Sequence, residues 1–195
     1  SSIPGISNED DFAKVKEHGA ELAKDPKYFY TNQFKNPNNP KGYESLSREI
    51  VEQLGKSPDY FTTVVGTGGS FIGISRGLKK IDESIKCIVT ESDQMEVIAG
   101  KKLGRKSTKL QGAAHAEIPY LWDYSVCDGY ISVSDEEAKI MANLLSKKEG
   151  LLVGYTAGGN VASALKIAKK AKRGSCIVTI LPDSGAKYFG SDLFQ

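Results

Sequence analysis

At 195 residues, 39% apolar and 26% charged, the chain has room for one full-sized domain with a real core, and it fits neither a disordered nor a fibrous class. Near-balanced acids and bases leave a net charge of +2, which gives no reason to expect a nucleic-acid or membrane partner. No apolar run reaches membrane-spanning length and no secretory leader is recognisable. Cys87, Cys127 and Cys176, with His18 and His115, lack metal-ligand spacing, so a reducing cytoplasm and a site without metal are expected.

In chain order, a first helix is expected over residues 10–24, with Ser7 or Asn8 as its cap and acids in its first turn. A short β-type run at 28–30 leads into a Pro/Asn-rich loop over 32–42, where Asn before Pro favours turns. Ile50, Val51 and Leu54 share one face of a helix that closes at Gly55. Residues 60–65, 70–80 and 86–90 read as strand, helix and strand, a βαβ unit. A helix-like segment near 94–101 and a long loop through 111–119 follow, then a β-type piece at 129–133. Ser134 and Glu137 form a capping box that opens a helix to about Lys148, stopped by Gly150.

Beyond Gly150, a short strand at 151–153 meets a second glycine-rich turn over 154–160, and a helix is expected over 161–172. Its basic end, residues 166–173, complements the helix dipole and reads as a solvated face. Residues 175–181 are an apolar run suited to a buried parallel strand. Alternating strands and helices give an α/β domain with a mostly parallel sheet flanked by helices.

The run Gly66-Thr67-Gly68-Gly69-Ser70 is the most telling motif. It lies between a strand and a helix start, where backbone N–H groups gather at the positive end of the helix dipole. Glycines allow close or left-handed backbone, and the hydroxyls of Thr67 and Ser70 add donors, which makes a phosphate cradle. An ordinary glycine-rich turn would read the same from this motif alone.

Four blocks together resemble the cysteine synthase/cystathionine β-synthase family of pyridoxal-phosphate (PLP) enzymes, related to tryptophan synthase β. They are Gln33-Phe34 with Asn36-Pro37-x-Asn39-Pro40, the glycine loop, Gln111-Gly112 with Ile118-Pro119, and Glu149-Gly150 with Gly154 and then Leu181-Pro-Asp-Ser-Gly185, Tyr188 and Leu193-Phe194. The resemblance implies the large, C-terminal domain of a fold-type II PLP enzyme over residues 1–195. It implies phosphate binding by Gly66, Thr67, Gly68, Gly69 and Ser70, backbone close to the cofactor at Gly154, and Ser184 beside the pyridine nitrogen. A neutral hydroxyl there, unlike a carboxylate, does not hold the ring nitrogen protonated, which suits elimination. It further implies β-replacement or β-elimination on a serine- or cysteine-type amino acid, with sulfide or another thiol as acceptor, in a homodimer.

The family's Schiff-base lysine and substrate-carboxylate loop belong to upstream motifs that do not occur here, and no lysine of this sequence is assigned that role. The chain is therefore expected to be a C-terminal piece or a partner-dependent half, not competent alone. Gly112 lies in the active-site loop, and Ala113 and Ala114 replace glycines usual there. His115 is a candidate to contact the substrate or move a proton, or else a solvent-facing loop histidine. Tyr155, Thr156 and Asn160 also depart from the smaller residues usual in the second glycine turn. Two rival readings stand beside this one. A nicotinamide-dinucleotide domain would use Glu91 on the ribose, but it has no place for the blocks at 111–119 and 181–188. A non-catalytic protein could keep the phosphate site without the lysine.

Overall fold

The computed structural model describes residues 9–101, 108–110 and 117–195. Strands β1 (Tyr60–Val64), β2 (Lys86–Ser92), β3 (Gly129–Val133) and β4 (Ile177–Thr179) form one sheet in the order β3-β2-β1-β4. All three pairings are parallel, with Tyr60 opposite both Lys86 and Ile177, and Ile88 opposite Gly129. Helices α1 (Glu9–Leu22), α2 (Asn38–Leu54), α3 (Gly69–Ile81), α4 (Asp135–Glu149) and α5 (Tyr155–Ala168) accompany it. The expected helix-flanked parallel sheet is what forms. No helix among the described residues is long and apolar enough to cross a membrane.

Strand alternation sends β1 side chains to two cores. Phe61 and Val65 join Phe71, Ile74 and Leu78 of α3, with Cys87 and Val89 of β2, while Ile50 and Val51 of α2 pack on that cluster. Val64 faces the other way, toward Val133, Ala138 and Ala142 of α4, and Tyr155 and Ala162 of α5. Phe61, Phe71 and Trp122 stack in series at 6.1 and 5.6 Å between centroids. Each fully buried Phe contributes about 2–3 kcal/mol of transfer free energy. The two helix layers hold β1 between them, so its carboxyl end is a fixed point of the fold.

Glycine spacing determines how the layers meet. Gly69, Gly73 and Gly77 recur every four residues and form one stripe of α3. A Cβ on each would overlap Asn39 Oδ1, the Pro40 carbonyl and Ser47 Oγ of α2, respectively. On the other face, a Cβ on Gly158 of α5 would overlap the Ala138 carbonyl of α4.

Several expected elements take other forms. Helix α2 begins at Asn38, inside the stretch read as a loop, because Pro40 falls in its first turn, where a missing N–H costs nothing. Residues 28–30 form no strand, and Phe29 is exposed. The 94–101 segment is a set of turns, since the Glu91 carboxylate takes the N–H groups of Ile98 and Ala99. Val153 makes an isolated antiparallel bridge to Ser184 and is not part of the sheet. Helix α5 starts at Tyr155, so Gly158 and Gly159 are helix-packing residues, not turn residues. Strand β4 covers three residues and is half-buried, because β1 is its sole partner among the described residues. The proposed caps Ser7 and Asn8 lie outside the described residues.

Candidate cofactor site

The chain leaves β1 at Val64 and enters α3 at Gly69 through four residues. Gly68 turns the corner with φ of +89°, a left-handed conformation that favours glycine, and its carbonyl accepts from Ile72 N at 2.9 Å. None of the N–H groups of Gly66, Thr67, Gly68, Gly69 and Ser70 donates to an acceptor among the described residues. Helix α3 has no acid in its first turn, and Lys79 and Lys80 sit at its far end. The loop therefore presents open donors at the positive end of an intact dipole, a setting for a dianion.

From behind, Asn39 holds the loop in shape. Its Nδ2 donates to Thr67 Oγ1 at 3.1 Å and to the Gln33 carbonyl at 2.7 Å. The Asn/Pro block and the glycine loop, separate in sequence, are one structure here. These residues fit a phosphate monoester: several unpaired donors converge, and no carboxylate competes at the helix start.

Strand order puts the loop at a topological switch point. From β1 the chain proceeds to β2 and β3 on one side, then crosses back to β4 on the other, so a crevice opens at the carboxyl ends of β1 and β4. Asn160 of α5, fully buried, wedges that crevice. Its Oδ1 accepts from Val64 N at 2.7 Å, and its Nδ2 donates to Thr63 Oγ1 at 3.0 Å and the Ile180 carbonyl at 2.8 Å. Ser184 follows β4 on the same edge. It is exposed, and its hydroxyl accepts from Ala186 N at 3.3 Å at the start of a 3-10 turn.

Gly154 is buried just before α5, and a Cβ there would overlap Asp183 Oδ2 and the Tyr188 ring. Asp183 was not singled out by the sequence reading. Its carboxylate accepts from Thr156 N at 3.1 Å, Ala157 N at 2.8 Å and Tyr188 OH at 2.8 Å, capping α5 from a distant segment. Burial first, then that carboxylate, push the Tyr188 phenol up. The signal was nearly silent, because a cap 27 residues from the Thr156 N–H it accepts leaves no local pattern.

Gly112 and His115 lie outside the described residues. Thr108, Lys109 and Leu110, a little upstream, are firmly held. Asp135 Oδ1 accepts from Thr108 Oγ1 at 2.6 Å and Lys109 N at 3.0 Å, Lys109 Nζ pairs with Asp192, and Leu110 is fully buried.

Glu91, the ribose acid of the dinucleotide reading, is 5% exposed, and both its oxygens are engaged by Ile98 N at 2.8 Å and Ala99 N at 3.0 Å. Burial pushes its carboxyl up against those two donors. It braces the chain after β2 and is not free for a ribose, so the dinucleotide reading is not favoured. Among the described residues, no group of three or more His, Cys, Asp or Glu is placed to hold a metal ion.

A family model described as pyridoxal-phosphate dependent enzyme matches residues 5–183. The chain belongs to that family. Among relatives of this PLP-dependent chain, a cysteine synthase of Staphylococcus aureus is 34% identical over 177 residues, covering 90% of this chain and 56% of the relative. A cysteine synthase of Buchnera aphidicola is 37% identical over 177 residues, covering 87% and 56%. Among solved structures, the O-acetylserine dependent cystathionine β-synthase from Helicobacter pylori superposes with a TM-score of 0.85 at 32% identity, over 93% of this chain and 58% of that one. An O-acetylserine sulfhydrylase from Entamoeba histolytica gives 0.85 at 30%, over 92% and 54%. The chain thus spans just over half the length of the relatives it matches.

Proposed function

We propose that this chain is the phosphate-binding domain of an enzyme that replaces or eliminates the β-substituent of a serine- or cysteine-type amino acid, with sulfide or a thiol as acceptor, as in cysteine synthase. The supporting observation is the set of open N–H groups at the start of α3, in a chain of the PLP-dependent family. PLP, when bound, supplies the electron sink that loosens bonds at the amino acid's α-carbon.

This chain's residues have the preparatory roles. Gly66, Thr67, Gly68, Gly69 and Ser70 hold the phosphate, with N–H groups and hydroxyls sharing its charge. Asn160 keeps the crevice open at the ends of β1 and β4, where the ring would lie. Ser184 offers a neutral hydroxyl to the ring nitrogen from the β4 side, which leaves that nitrogen without a fixed proton. Gly154 lets the backbone approach closely beside it. Gly112 and His115 are assigned to substrate handling by the resemblance alone, His115 as proton carrier or leaving-group contact. The covalent lysine is assigned to the part of the fold that the relatives carry and this sequence does not match. The complete protein is read as a cytoplasmic homodimer.

Calorimetric titration with pyridoxine 5′-phosphate, which has no aldehyde to react with surface lysines, tests the cradle directly. Saturable binding that a T67A/S70A variant weakens supports the reading, and its absence refutes the cradle in this chain. Borohydride treatment with PLP itself then tests the lysine. Trapping at one specific lysine of this chain would overturn the assignment of that residue elsewhere. A non-catalytic protein predicts the same cradle but no turnover when the matching half is supplied.

A further inference from the structure

A second feature lies at the opposite flank of the sheet, along edge strand β3. Asp93 N donates to the Val133 carbonyl at 3.1 Å, so Val133 faces β2, and alternation turns the Ser132 carbonyl to the outer edge. That carbonyl accepts from Lys166 Nζ at 2.8 Å, and the same ammonium pairs with Glu137 at 2.7 Å. A lysine planted on that outer carbonyl blocks one ladder position of the edge to a further strand. Beside it opens a groove of about 620 Å³, whose wall includes Glu96, Lys101, Tyr130, Lys166, Lys169 and Lys170.

The charges on this wall are unbalanced. Lys101 is held on Glu96 at 2.8 Å, whereas the exposed Lys169 and Lys170 have no side-chain partner among the described residues. Four ammonium groups share the wall with one carboxylate. Even after Glu137 is set against Lys166, the excess equals the +2 of the whole sequence. Lys166, in the last turn, already answers the carbonyl end of α5, and Lys169 and Lys170 lie beyond its last residue, Ala168. Helix polarity favours cations at this end, but it amounts to about half a negative charge, which Lys166 already offsets, so Lys169 and Lys170 together exceed it. Lys166 on the Ser132 carbonyl disfavours a peptide strand, and a neutral ligand would leave the ammonium groups unmatched. The volume is that of a small-molecule site, and Tyr130, 43% exposed, offers a flat ring.

We infer that this groove binds a small polyphosphate-bearing anion, with Lys169 and Lys170 as its main contacts. The shared chemistry is a chain of two or three phosphates, carried either on a nucleoside or as inorganic polyphosphate.

The test is calorimetry of the whole chain with ATP and with tripolyphosphate, without divalent cations, at about 50 mM salt, where screening is modest. Both should bind, and K169A/K170A should weaken them about tenfold or more, as expected for lost charge-assisted contacts. K147A/K148A, which removes the same charge from the exposed end of α4, should leave the affinity unchanged, as should T67A/S70A. Tighter binding of ATP would assign a contact to the Tyr130 ring, and equal binding would assign recognition to phosphate alone. The inference is overturned by no binding to the unaltered chain, by equal weakening in both lysine pairs, or by weakening confined to T67A/S70A, which would place the ligand in the glycine loop.

Discussion

Replacing Asn160 with alanine tests how the crevice between β1 and β4 is held. Three hydrogen bonds vanish, and the Val64 N–H and Ile180 carbonyl lose this partner. Val64 is 5% exposed, so its orphaned N–H bears the full desolvation penalty of about 1–3 kcal/mol. Ile180 is half-buried, so water recovers most of its loss, and the missing bond to Thr63 contributes about 1 kcal/mol. A small cavity beneath α5 adds about 1 kcal/mol. The expected destabilisation is about 3–5 kcal/mol, most of it from the Val64 N–H and the cavity. With a urea m-value of about 2 kcal/mol/M, the unfolding midpoint falls by about 1.5–2.5 M. Equilibrium urea unfolding followed by far-UV circular dichroism measures this, and pyridoxine 5′-phosphate affinity should drop in parallel. A midpoint shift below about 0.3 M would refute the claim that Asn160 carries the strand ends, since the bonds would then be worth almost nothing net.

Gly69→Ala should cost about 1–3 kcal/mol and weaken phosphate binding, because the new Cβ displaces the Asn39 amide from Thr67; binding by the double variant G69A/N39A should recover in part if that overlap is the cause. Asp183→Ala removes the cap of α5 and the Tyr188 contact, with an expected thermal destabilisation of about 2–3 kcal/mol and a larger loss than Asp183→Asn. Hydrogen bonds from Lys109 and then Tyr155 hold the Asp192 carboxyl well below the usual range. A depressed folded-state value means stabilisation that is present above the unfolded pKa and lost as pH falls toward the folded one. Asp192→Asn should therefore flatten the stability profile below about pH 4, and an unchanged acid limb would refute the linkage.

The sheet and its order of elements were legible because strand and helix periods separate cleanly in the runs at 60–65, 70–80 and 86–90. So were the capping box of α4 and its stop at Gly150, where both signals are local. What misled was glycine. Gly69, Gly158 and Gly159 read as turn residues, yet each sits inside a helix. For Gly69 and Gly158 a Cβ would collide with a neighbouring helix, so close approach and not turning is what they permit. Sequence pattern alone does not separate those two uses. The four-residue spacing of 69, 73 and 77 was the available clue. At the site, the glycine loop was visible as a motif, whereas its tie to Asn39 was not, since a contact across 28 residues leaves no periodic trace. Asp183 and Asn160 act the same way, satisfying backbone groups far along the chain.

The glycine stripe of α3 has a bearing on how ligands are gained and lost. With α2 seated directly on α3, and Asn39 reaching from α2 into the loop, the turn proposed to hold the phosphate is cast against a packed template and not shaped by its guest. Little ordering remains to be done when a phosphate arrives, so affinity is set in advance by helix packing. Drift along the inner face of α2, at Pro40 or Ser47, would then surface as altered cofactor retention, although neither residue belongs to the cradle.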